Sequence, residues 1–476
     1  MNWELFWIAL YVLTMLVKGI YVSRNIKTQD DYFLGGRTLG PYLATFSIFA
    51  TWFGAETCIG TAGAVYSRGL SAIHADPLGY TLCLLVMAFV FAKVLWRKNI
   101  TTIPDLFRRR FSENTEKLAA ILMIPGSIIW AGAQIRALGQ IVHSNTSVGA
   151  EIAVTAAAVV VIGYTMLGGL LADAYNDLIQ GIAVMVGIFF MLFGVVNGLG
   201  GFEAALSTIP LEKLSFSGGD GANLSFLGNL ELWMVPILGS LMAQELVSRV
   251  VASRSEKVAF NSTIRAASLY LLVGCVPVLI GLLGPHYLPN LKDPETLMPF
   301  LAKTHLSYFF YIIFMGALVS AILSTVDTTL LSASALASHN LVYPTFKNMS
   351  EKNKVVVARL GTLVAGILAY TIAFSSQSIT GLVETASSLG GPSILIITII
   401  ALWVKKGNST NAIFAMVMSM ITWACTNFLF EIEYPIILTV TVCAVSYFIS
   451  LPFTTSEKEA VVLPQVVLTG DSLDLS

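Results

Sequence analysis

Two adjacent hydroxyl residues, Ser324 and Thr325, lie in an apolar stretch that runs from about residue 308 to residue 336. At helical spacing they share one stripe with Ala321, Thr328 and Ser332. Uncharged oxygens gathered at mid-membrane depth are ligands that a hard cation such as Na⁺ prefers. Ser and Thr in membrane helices also bond their own preceding carbonyls or join neighbouring helices. On the ion interpretation, the stripe predicts half of a site and another segment must supply the rest.

The other half is predicted in the apolar segment 42–67, whose middle reads ATWFGAE from Ala50 to Glu56. A glycine and an ionisable glutamate in the centre of a spanning segment indicate an interrupted helix. Unwinding at Gly54 would free the carbonyls of Ala50 and Phe53. Because backbone outside a helix survives at this depth only inside protein or facing water, these carbonyls are expected to face a cavity.

A third polar group lies in the segment 118–142, which carries Trp130, Gln134 and Arg136. An arginine near the centre of a bilayer is costly unless it is paired. Glu56 is the predicted partner of Arg136. The sequence leaves open whether Glu56 pairs with Arg136 or with a ligand.

The composition places these segments in a membrane. The 476 residues are 56% hydrophobic and 12% charged, with a mean hydropathy of +0.77, which is more apolar surface than a water-soluble fold can bury. The net charge of −1 argues against a nucleic-acid partner. The five cysteines form no CxxC pair, and no His/Cys/Asp cluster has catalytic or metal spacing, so an enzyme is not predicted.

Apolar runs long enough to cross a bilayer predict an all-α membrane protein with about thirteen transmembrane helices. They fall at roughly 3–22, 42–67, 76–95, 118–142, 149–169, 177–198, 232–250, 262–285, 307–337, 356–376, 379–404, 410–430 and 434–453. With the N-terminus outside and the C-terminus in the cytoplasm, of the 27 Lys and Arg only Arg68, Lys213, Lys292 and Lys303 lie outside, and Arg136 lies in the membrane. The positive-inside rule favours this orientation, and the predicted location is the plasma (inner) membrane.

The helices fall into two groups of five, and each group opens with a helix broken by Gly or Pro. Because five is odd, the groups run with opposite topology, which is typical of an inverted-repeat secondary transporter. The predicted units are an N-terminal helix and linker (1–41), a first repeat (42–198), an extracellular loop (199–231), a second repeat (232–405), two further helices (406–453) and a cytoplasmic tail (454–476).

Several motifs in order make the chain resemble the sodium:solute symporter family, which includes bacterial proline and galactose symporters, and within it the branch of the high-affinity choline transporters. The resemblance runs from about residue 30 to residue 342. It rests on five groups: LGGR at 34–37, ATW at 50–52 with Ile59-Gly60, GGL at 168–170 with DLIQ at 177–180, Gln244 with Arg249, and STVD at 324–327 with LSAS at 331–334.

The resemblance implies a LeuT-type fold of 5+5 inverted repeats with Na⁺ as the coupling ion. Its ligands would be the carbonyls of Ala50, Phe53 and Ala321 and the hydroxyls of Ser324 and Thr325. Asp177 matches an acid linked to sodium dependence, and Asp327 is a further candidate for coupling or gating. In the choline branch, aromatic faces hold the quaternary ammonium by cation–π contact.

The predicted solute site comprises Trp52, Glu56, Tyr80, Trp130, Arg136 and Gln244. A fourth aromatic residue, expected before Gln244, is replaced by Ala243, and Arg136 would add a positive charge. This combination would suit a ligand with a carboxylate, although a zwitterion or an amine stays open.

The predicted function is Na⁺-coupled import of a small organic solute across the plasma membrane by alternating access. The alternative is a sensor or channel-like protein of the same fold. No obligate protein partner is indicated.

Overall fold

The computed structural model describes residues 21, 24, 26–145, 149–216, 225–375, 378–430 and 432–454. The predicted helix 3–22 and nearly all of the tail 454–476 lie outside this part of the chain. The α-helices of the described residues are α1 (Gln29–Leu34), α2 (Pro41–Trp52), α3 (Thr61–Arg68), α4 (Tyr80–Val86), α5 (Lys93–Arg97), α6 (Ile103–Arg110), α7 (Glu113–Asn145), α8 (Ala150–Gly198), α9 (Phe202–Ser207), α10 (Phe226–Ser240), α11 (Gln244–Val251), α12 (Glu256–Tyr287), α13 (Leu297–His305), α14 (Tyr308–Ala337), α15 (Glu351–Ser375), α16 (Ile379–Ser388), α17 (Gly391–Trp403), α18 (Ser409–Ala424) and α19 (Pro435–Ser450).

Short tighter or wider turns connect or extend several of these helices. The π-type turns are Glu56–Gly60, Ala75–Gly79, Met87–Ala92, Ser338–Val342 and Cys425–Leu429, and the 3₁₀ turns are Gly35–Arg37, Gly69–His74, Leu211–Leu214, Pro294–Thr296 and Leu451–Phe453. Extended pairing in the described residues is limited to an isolated bridge between Leu39 and Ser253. The fold is therefore all-helical over the part of the chain that the structure describes.

Within these residues, nine helical stretches are long and apolar enough to cross a membrane, or ten if the bent pair Phe226–Ser240 and Gln244–Ala252 counts as one span. Two stretches, Glu56–Arg97 and Glu151–Gly198, have 42 and 48 residues. At about 1.5 Å per residue they are roughly 60 and 70 Å long, whereas the hydrocarbon core is about 30 Å thick. Each can therefore hold parts of two crossings that the hydropathy pattern had separated.

Backbone breaks explain how the long stretches bend. Gly169 within α8 has φ +59° and Asp76 has extended backbone between α3 and α4. A Cβ on Gly169 would lie 2.9 Å from the carbonyl oxygen of Tyr32, so the bend presses the middle of α8 against α1. A glycine is needed here because a side chain is disfavoured both by the positive φ and by this contact.

Helix α14 occupies the centre of the bundle. It packs against α8, α7, α15 and α2, and all its residues from Ala317 to Leu336 are buried. The polar residues of this stretch, such as Ser324 and Thr328, therefore face protein. That burial places the hydroxyl stripe of the sequence inside the fold.

A polar cluster ties α6 to the end of α14. The Asp105 carboxylate accepts hydrogen bonds from the backbone of Thr101 and Thr102 and from Asn340, and it contacts His339. Burial alone would raise the pKa of Asp105, but the contact with His339 and these hydrogen bonds lower the pKa to about 2. An ionised carboxylate thus connects α6 to the turn that follows α14. We call this end of the bundle the Asp105 side.

A buried ion pair lies between this cluster and the centre of α14. The Arg249 guanidinium on α11 donates to the Asp173 carboxylate on α8 and to the Thr328 hydroxyl. The Arg249 and Asp173 side chains are 0% and 2% exposed. A charge buried in this way depends on its partner, because water cannot replace it.

We therefore expect Arg249→Met to lower the free energy of unfolding by about 3–5 kcal/mol, because it leaves Asp173 buried without its cation. The matched control is Arg97→Met in the exposed pair Arg97–Glu256, whose side chains are 64% and 37% exposed. That change should leave the free energy of unfolding nearly unchanged, because water and salt screen an exposed pair. Thermal unfolding of the purified variants in detergent measures both, and equal losses would contradict the role given to the buried pair.

Candidate functional site

The helical segment that begins with α2, which we call the first core helix, is interrupted between Trp52 and Glu56. Phe53 leaves helical geometry at φ −85° and ψ 67°, and the Gly54 amide donates to the carbonyl of Trp52 at 3.0 Å. In an unbroken helix that amide would bond to the carbonyl of Ala50. The Ala50 carbonyl is therefore released from its helical partner inside the bundle.

The hydroxyl pair of α14 lies directly against this break. Ser324 Oγ and Thr325 Oγ1 are each 3.4 Å from the Ala50 carbonyl oxygen, and both side chains are fully buried. Thr325 Oγ1 is also 3.2 Å from the carbonyl oxygen of Ala321. The structure thus brings together Ala50, Ala321, Ser324 and Thr325, and Phe53 lies at the break three residues after Ala50.

Asp177 on α8 contacts the same group. Its carboxylate accepts hydrogen bonds from Ser324 and, at 2.5 Å, from Ser47 on α2. It also lies 3.9 Å from the Arg249 guanidinium, next to the Asp173 pair. Asp177 therefore connects the hydroxyl pair to the buried Arg249–Asp173 ion pair.

Asp327 lies elsewhere, although it is three residues from Ser324. Its carboxylate accepts hydrogen bonds from Tyr164 and Thr165 on α8. Asp327 therefore connects α14 to α8, and the hydrogen bonds of its carboxylate are not made with the break.

Trp52 contacts the two other aromatic residues predicted for the solute site, Tyr80 and Trp130. The Trp52 ring lies 5.1 Å from the Tyr80 ring and 5.1 Å from the Trp130 ring, between centroids. All three residues are buried. Trp52 is also the last residue before the break, so the aromatic group and the freed carbonyl belong to the same turn.

Glu56 joins this aromatic group to the break. Its carboxylate accepts from Trp130 Nε1 at 3.2 Å and from Gln134 Nε2 at 2.6 Å, and the Gln134 Oε1 accepts from the Ala55 amide at 3.0 Å. Gln134 had no role in the sequence-based site. Its position four residues after Trp130, on the same helix face, was the available signal.

Gly54 is where these groups converge. A Cβ built on Gly54 would lie 2.7 Å from Glu56 Oε2, 2.7 Å from Thr325 Oγ1 and 2.9 Å from Gln134 Oε1. Any side chain would displace all three oxygens. The hydroxyl of the candidate ion site and the carboxylate of the candidate solute site are thus packed against one α-carbon.

The predicted pairing of Arg136 with Glu56 is wrong. Among the described residues Arg136 Nε has no hydrogen-bond partner, and the Glu56 carboxylate bonds to Trp130 and Gln134. The reason is helical geometry: at about 100° per residue, Arg136 lies roughly 200° around α7 from Gln134. The structure therefore does not bring Arg136 to the aromatic group.

Gln244 lies at the first residue of α11. Its amide accepts from the Ile103 backbone amide at 3.1 Å and donates to the Thr101 carbonyl at 3.0 Å. It also lines a small cavity of about 40 Å³ together with Trp130. Both hydrogen bonds of Gln244 hold the connection before α6.

A larger cavity of about 440 Å³ opens toward the Arg68 side of the bundle. Glu56, Asp76 and Tyr80 line its inner part, and its other charged lining residues are Arg68, Asp293, Glu295 and Glu384. The described lining residues thus comprise five carboxylates and one guanidinium. The cavity leads to the carboxylate that contacts Gln134 and the break.

We expect Gly54→Ala to abolish Na⁺-dependent uptake, because the new methyl group must push Thr325, Glu56 and Gln134 apart. Overpacking of this kind also costs about 1–3 kcal/mol of stability. Gly163→Ala in α8 is the matched control, since a Cβ there meets nothing within 4 Å. Radiotracer uptake and thermal unfolding test the pair, and normal uptake by Gly54→Ala would contradict the convergence.

Comparisons with known proteins identify the family of the chain. Residues 32–419 match the sodium:solute symporter family. The human high affinity choline transporter 1 is 27% identical over 430 residues, covering 85% of this chain and 73% of that protein. The sodium/proline symporter of Staphylococcus aureus is 27% identical over 452 residues, covering 89% of this chain and 86% of that protein. The resemblance carried by the sequence motifs is thus confirmed.

Solved structures share the fold at low identity. A Na⁺-coupled sialic acid symporter in a substrate-bound outward-open state superposes with a TM-score of 0.83 at 18% identity, covering 96% of this chain and 98% of the other. A nucleobase-cation-symport-1 family transporter in a closed conformation gives 0.59 at 14% identity, covering 90% and 97%. These similarities confirm the LeuT-type helical fold. The chain therefore belongs to the sodium:solute symporter family and is a Na⁺-coupled solute transporter.

Proposed function

We propose that Na⁺ binds between the broken first core helix and α14, and that it drives import of a small organic solute bearing a positively charged nitrogen. The ligands would be the carbonyls of Ala50, Phe53 and Ala321 and the hydroxyls of Ser324 and Thr325. One observation carries the proposal: a Cβ on Gly54 would lie 2.7–2.9 Å from Thr325 Oγ1, Glu56 Oε2 and Gln134 Oε1, so these three groups share one face of Gly54. Occupancy of the ion site would thereby set the shape of the solute site.

The chemistry of the donors supports the ion. Ser324 and Thr325 supply hydroxyl oxygens and Ala50 and Ala321 supply carbonyl oxygens, which suit a hard cation. Their burial removes competing water. The carboxylate of Asp177 lies one hydrogen bond away through Ser324 and would attract the ion without neutralising it fully.

The charge of the large cavity supports a cationic nitrogen on the solute. Five carboxylates and one guanidinium line it, and Glu56 at its inner part is hydrogen-bonded to Trp130 and Gln134 but to no cation among the described residues. The faces of Trp52, Tyr80 and Trp130 suit cation–π contact with an ammonium. An amine or a zwitterion is therefore favoured over a simple carboxylate, because Arg136 lies on the other side of α7 from Gln134 and does not line the large cavity.

We further propose that the Arg68 side faces outward in the plasma or inner membrane, with the N-terminus outside and the C-terminus in the cytoplasm. The distribution of Lys and Arg supports this orientation. The cavity would then be the external entrance, and the Arg249–Asp173 pair would close the path inward. Each inward Na⁺ charge would supply about 2.3 kcal/mol per 100 mV of membrane potential.

In alternating access, the Arg249–Asp173 pair would separate to open the path inward while the external cavity closes. The first repeat (42–198) would supply the break and Asp177, and the second (232–405) would supply α14 and Arg249. Asp177 would act in coupling because it contacts Ser324 and lies near Arg249. Asp327 would keep α14 fixed to α8 through Tyr164 during the exchange.

The double variant Ser324→Ala with Thr325→Ala should lose Na⁺-stimulated uptake, because two ligands are removed. Thr329→Ala is the matched control: Thr329 is equally buried in α14, and its hydroxyl donates to the carbonyls of Thr325 and Val326 of its own helix. Solute uptake by vesicles is measured against external Na⁺ concentration. Unchanged sodium dependence of the double variant would refute the ion site.

Glu56→Gln should weaken binding of ammonium-bearing solutes at least about tenfold, which corresponds to about 1.4 kcal/mol. Binding is measured as Na⁺-dependent thermal stabilisation by a panel of amines, betaines, amino acids, carboxylates and sugars. Glu231→Gln is the control, since Glu231 is also buried but accepts from the backbone amides of Ile436 and Ile437. Stabilisation of the wild type by carboxylates or sugars alone would contradict the proposed solute class.

A further inference from the structure

Trp130 connects two cavities that share no lining residue among those described. Its Nε1 donates to Glu56, which faces the large cavity, and Trp130 itself lines the small cavity of about 40 Å³. The small cavity is enclosed by α7, by α16 and α17, and by the break between α10 and α11. A second connection is the hydrogen bond between Tyr80, in the large cavity, and Ser387, in the small one. Residues of the aromatic group therefore border both cavities.

The small cavity has room for the head of a small solute. A buried water needs a cavity of at least about 10–15 Å³, which is well under half of the volume here. One wall, from Gly239 to Glu245, belongs to the bent pair of helices that forms the second interrupted helix of the fold, with an angle of 51°. Because continuous helical hydrogen bonds do not tie the two halves of a broken helix together, this wall is able to move. A movement there would widen the space.

Glu245 is the one ionisable residue in the described lining of the small cavity. Its side chain is buried and hydrogen-bonded to Ser127, but its Oε1 has no hydrogen-bond partner within the part of the chain that the structure describes. Protonation does not remove this deficit. A hydrogen on Oε1 would need an acceptor, and a hydrogen on the other oxygen would leave Oε1 without a donor. The partner of Oε1 must therefore come from the cavity.

The Glu245 carboxylate also has no counter-ion. No Lys, Arg or His of the described residues forms an ion pair with it. Arg249 lies one turn further along α11, but its guanidinium is paired with Asp173 and donates to the backbone carbonyl of Glu245 at 3.3 Å. A buried carboxylate without a cation is costly. A water in the cavity could bond to Oε1 but would bring no charge, so a cationic group fits this carboxylate better.

The rest of the lining indicates which cation would fit. The indole face of Trp130 suits cation–π contact with an ammonium, whereas it offers a bare metal ion no oxygen. Hydroxyl groups that could accept hydrogen bonds from an ammonium come from Ser127, Ser240 and Ser387. The small cavity therefore resembles the surroundings of Glu56, where a carboxylate also lies beside the Trp130 ring.

We propose that Glu245 is an inner binding site for the positively charged nitrogen of the solute, which passes Trp130 to reach it after leaving Glu56. The inference rests on the proposed function, because that function supplies a cationic nitrogen. Glu245 precedes Arg249 by four residues, or about 6 Å along a helix. A nitrogen at Glu245 has therefore passed the aromatic group but not the Arg249–Asp173 pair. Two carboxylates beside one aromatic ring divide the crossing into two shorter steps, each with a counter-charge for the nitrogen.

Transport by proteoliposomes of known orientation tests the inner site from each side separately. The probe is the amine, betaine or amino acid that gives the largest Na⁺-dependent stabilisation of the wild type. Glu245→Gln should raise the probe concentration for half-maximal transport at least about tenfold when the probe is offered from the Asp105 side, and less than about twofold from the side of the large cavity. Glu116→Gln is the matched control and should change neither value. Glu116 is also buried with an unpartnered Oε2 among the described residues, but it does not line the small cavity.

The outcomes separate the inner site from the proposed function. An unchanged value from the Asp105 side overturns the inner site, and so does an equal rise from both sides, which would assign Glu245 to the closure with Arg249. Neither result affects the proposed function, which fails instead if Glu56→Gln does not weaken binding. A wild type that no amine, betaine or amino acid stabilises overturns both.

A second variant keeps the test open should Glu245→Gln fail to fold. Glu245→Asp keeps the charge but withdraws it by one methylene group. It should raise the half-maximal concentration from the Asp105 side about threefold or more, because the shorter side chain holds the nitrogen less closely. An unchanged value for Glu245→Asp overturns the inner site.

Discussion

The contact between the interrupted helix at Phe53 and Gly54 and the hydroxyl pair of α14 is the constraint on which the rest of the site depends. A helix that ends inside a membrane leaves backbone groups that neither lipid nor water can satisfy. Here the freed Ala50 carbonyl meets Ser324 and Thr325, and the Ala55 amide meets Gln134. The break is therefore stable only while side chains from α14 and α7 remain in place.

This dependence gives the two binding events a physical connection. Gln134 bonds to the backbone of the break with one end of its amide and to Glu56 with the other. A change of backbone at Gly54 must therefore move the carboxylate that faces the large cavity. Asp177 provides a second connection, because it accepts a hydrogen bond from Ser324 and lies 3.9 Å from the Arg249 guanidinium. An ion at the break would thus affect both the aromatic group around Glu56 and the Arg249–Asp173 pair.

Local pattern predicted the helix break and the hydroxyl pair, whereas the aromatic residues Trp52, Tyr80 and Trp130 were predicted from the family resemblance. Gly54 and Glu56 within an apolar run indicated the break, and the neighbouring hydroxyls indicated the surface that meets it. The all-helical fold and the family followed from span lengths and ordered motifs, and both are confirmed. The number of separate helices was harder to predict from the sequence. Consecutive predicted crossings form one continuous helical stretch that bends at residues such as Gly169.

What failed was the assignment of partners across the fold. Arg136 and Glu56 were paired because each needed a counter-charge, but the 3.6-residue period places Arg136 on the other side of α7 from Gln134. The hydrogen bonds of Gln244 to the connection before α6 were not predicted either, and its contact with the solute stays a prediction. The hydrogen bonds among Thr57, Asp76 and Tyr270 were not predictable either, since Tyr270 is distant in sequence and lies in an ordinary apolar helix. Each of these depends on how helices rotate against one another, which no local pattern specifies.

The most direct measurement of the central claim is an experimental density map of the transporter in Na⁺, compared with one in K⁺, at a resolution that reveals bound ions. The account predicts a Na⁺-dependent peak about 2.3–2.6 Å from the Ala50 carbonyl, Ser324 Oγ and Thr325 Oγ1, the distance usual for a hard cation of this size. A map in which Thr325 contacts no ion in Na⁺, with the backbone at Gly54 identical in the two salts, would contradict it.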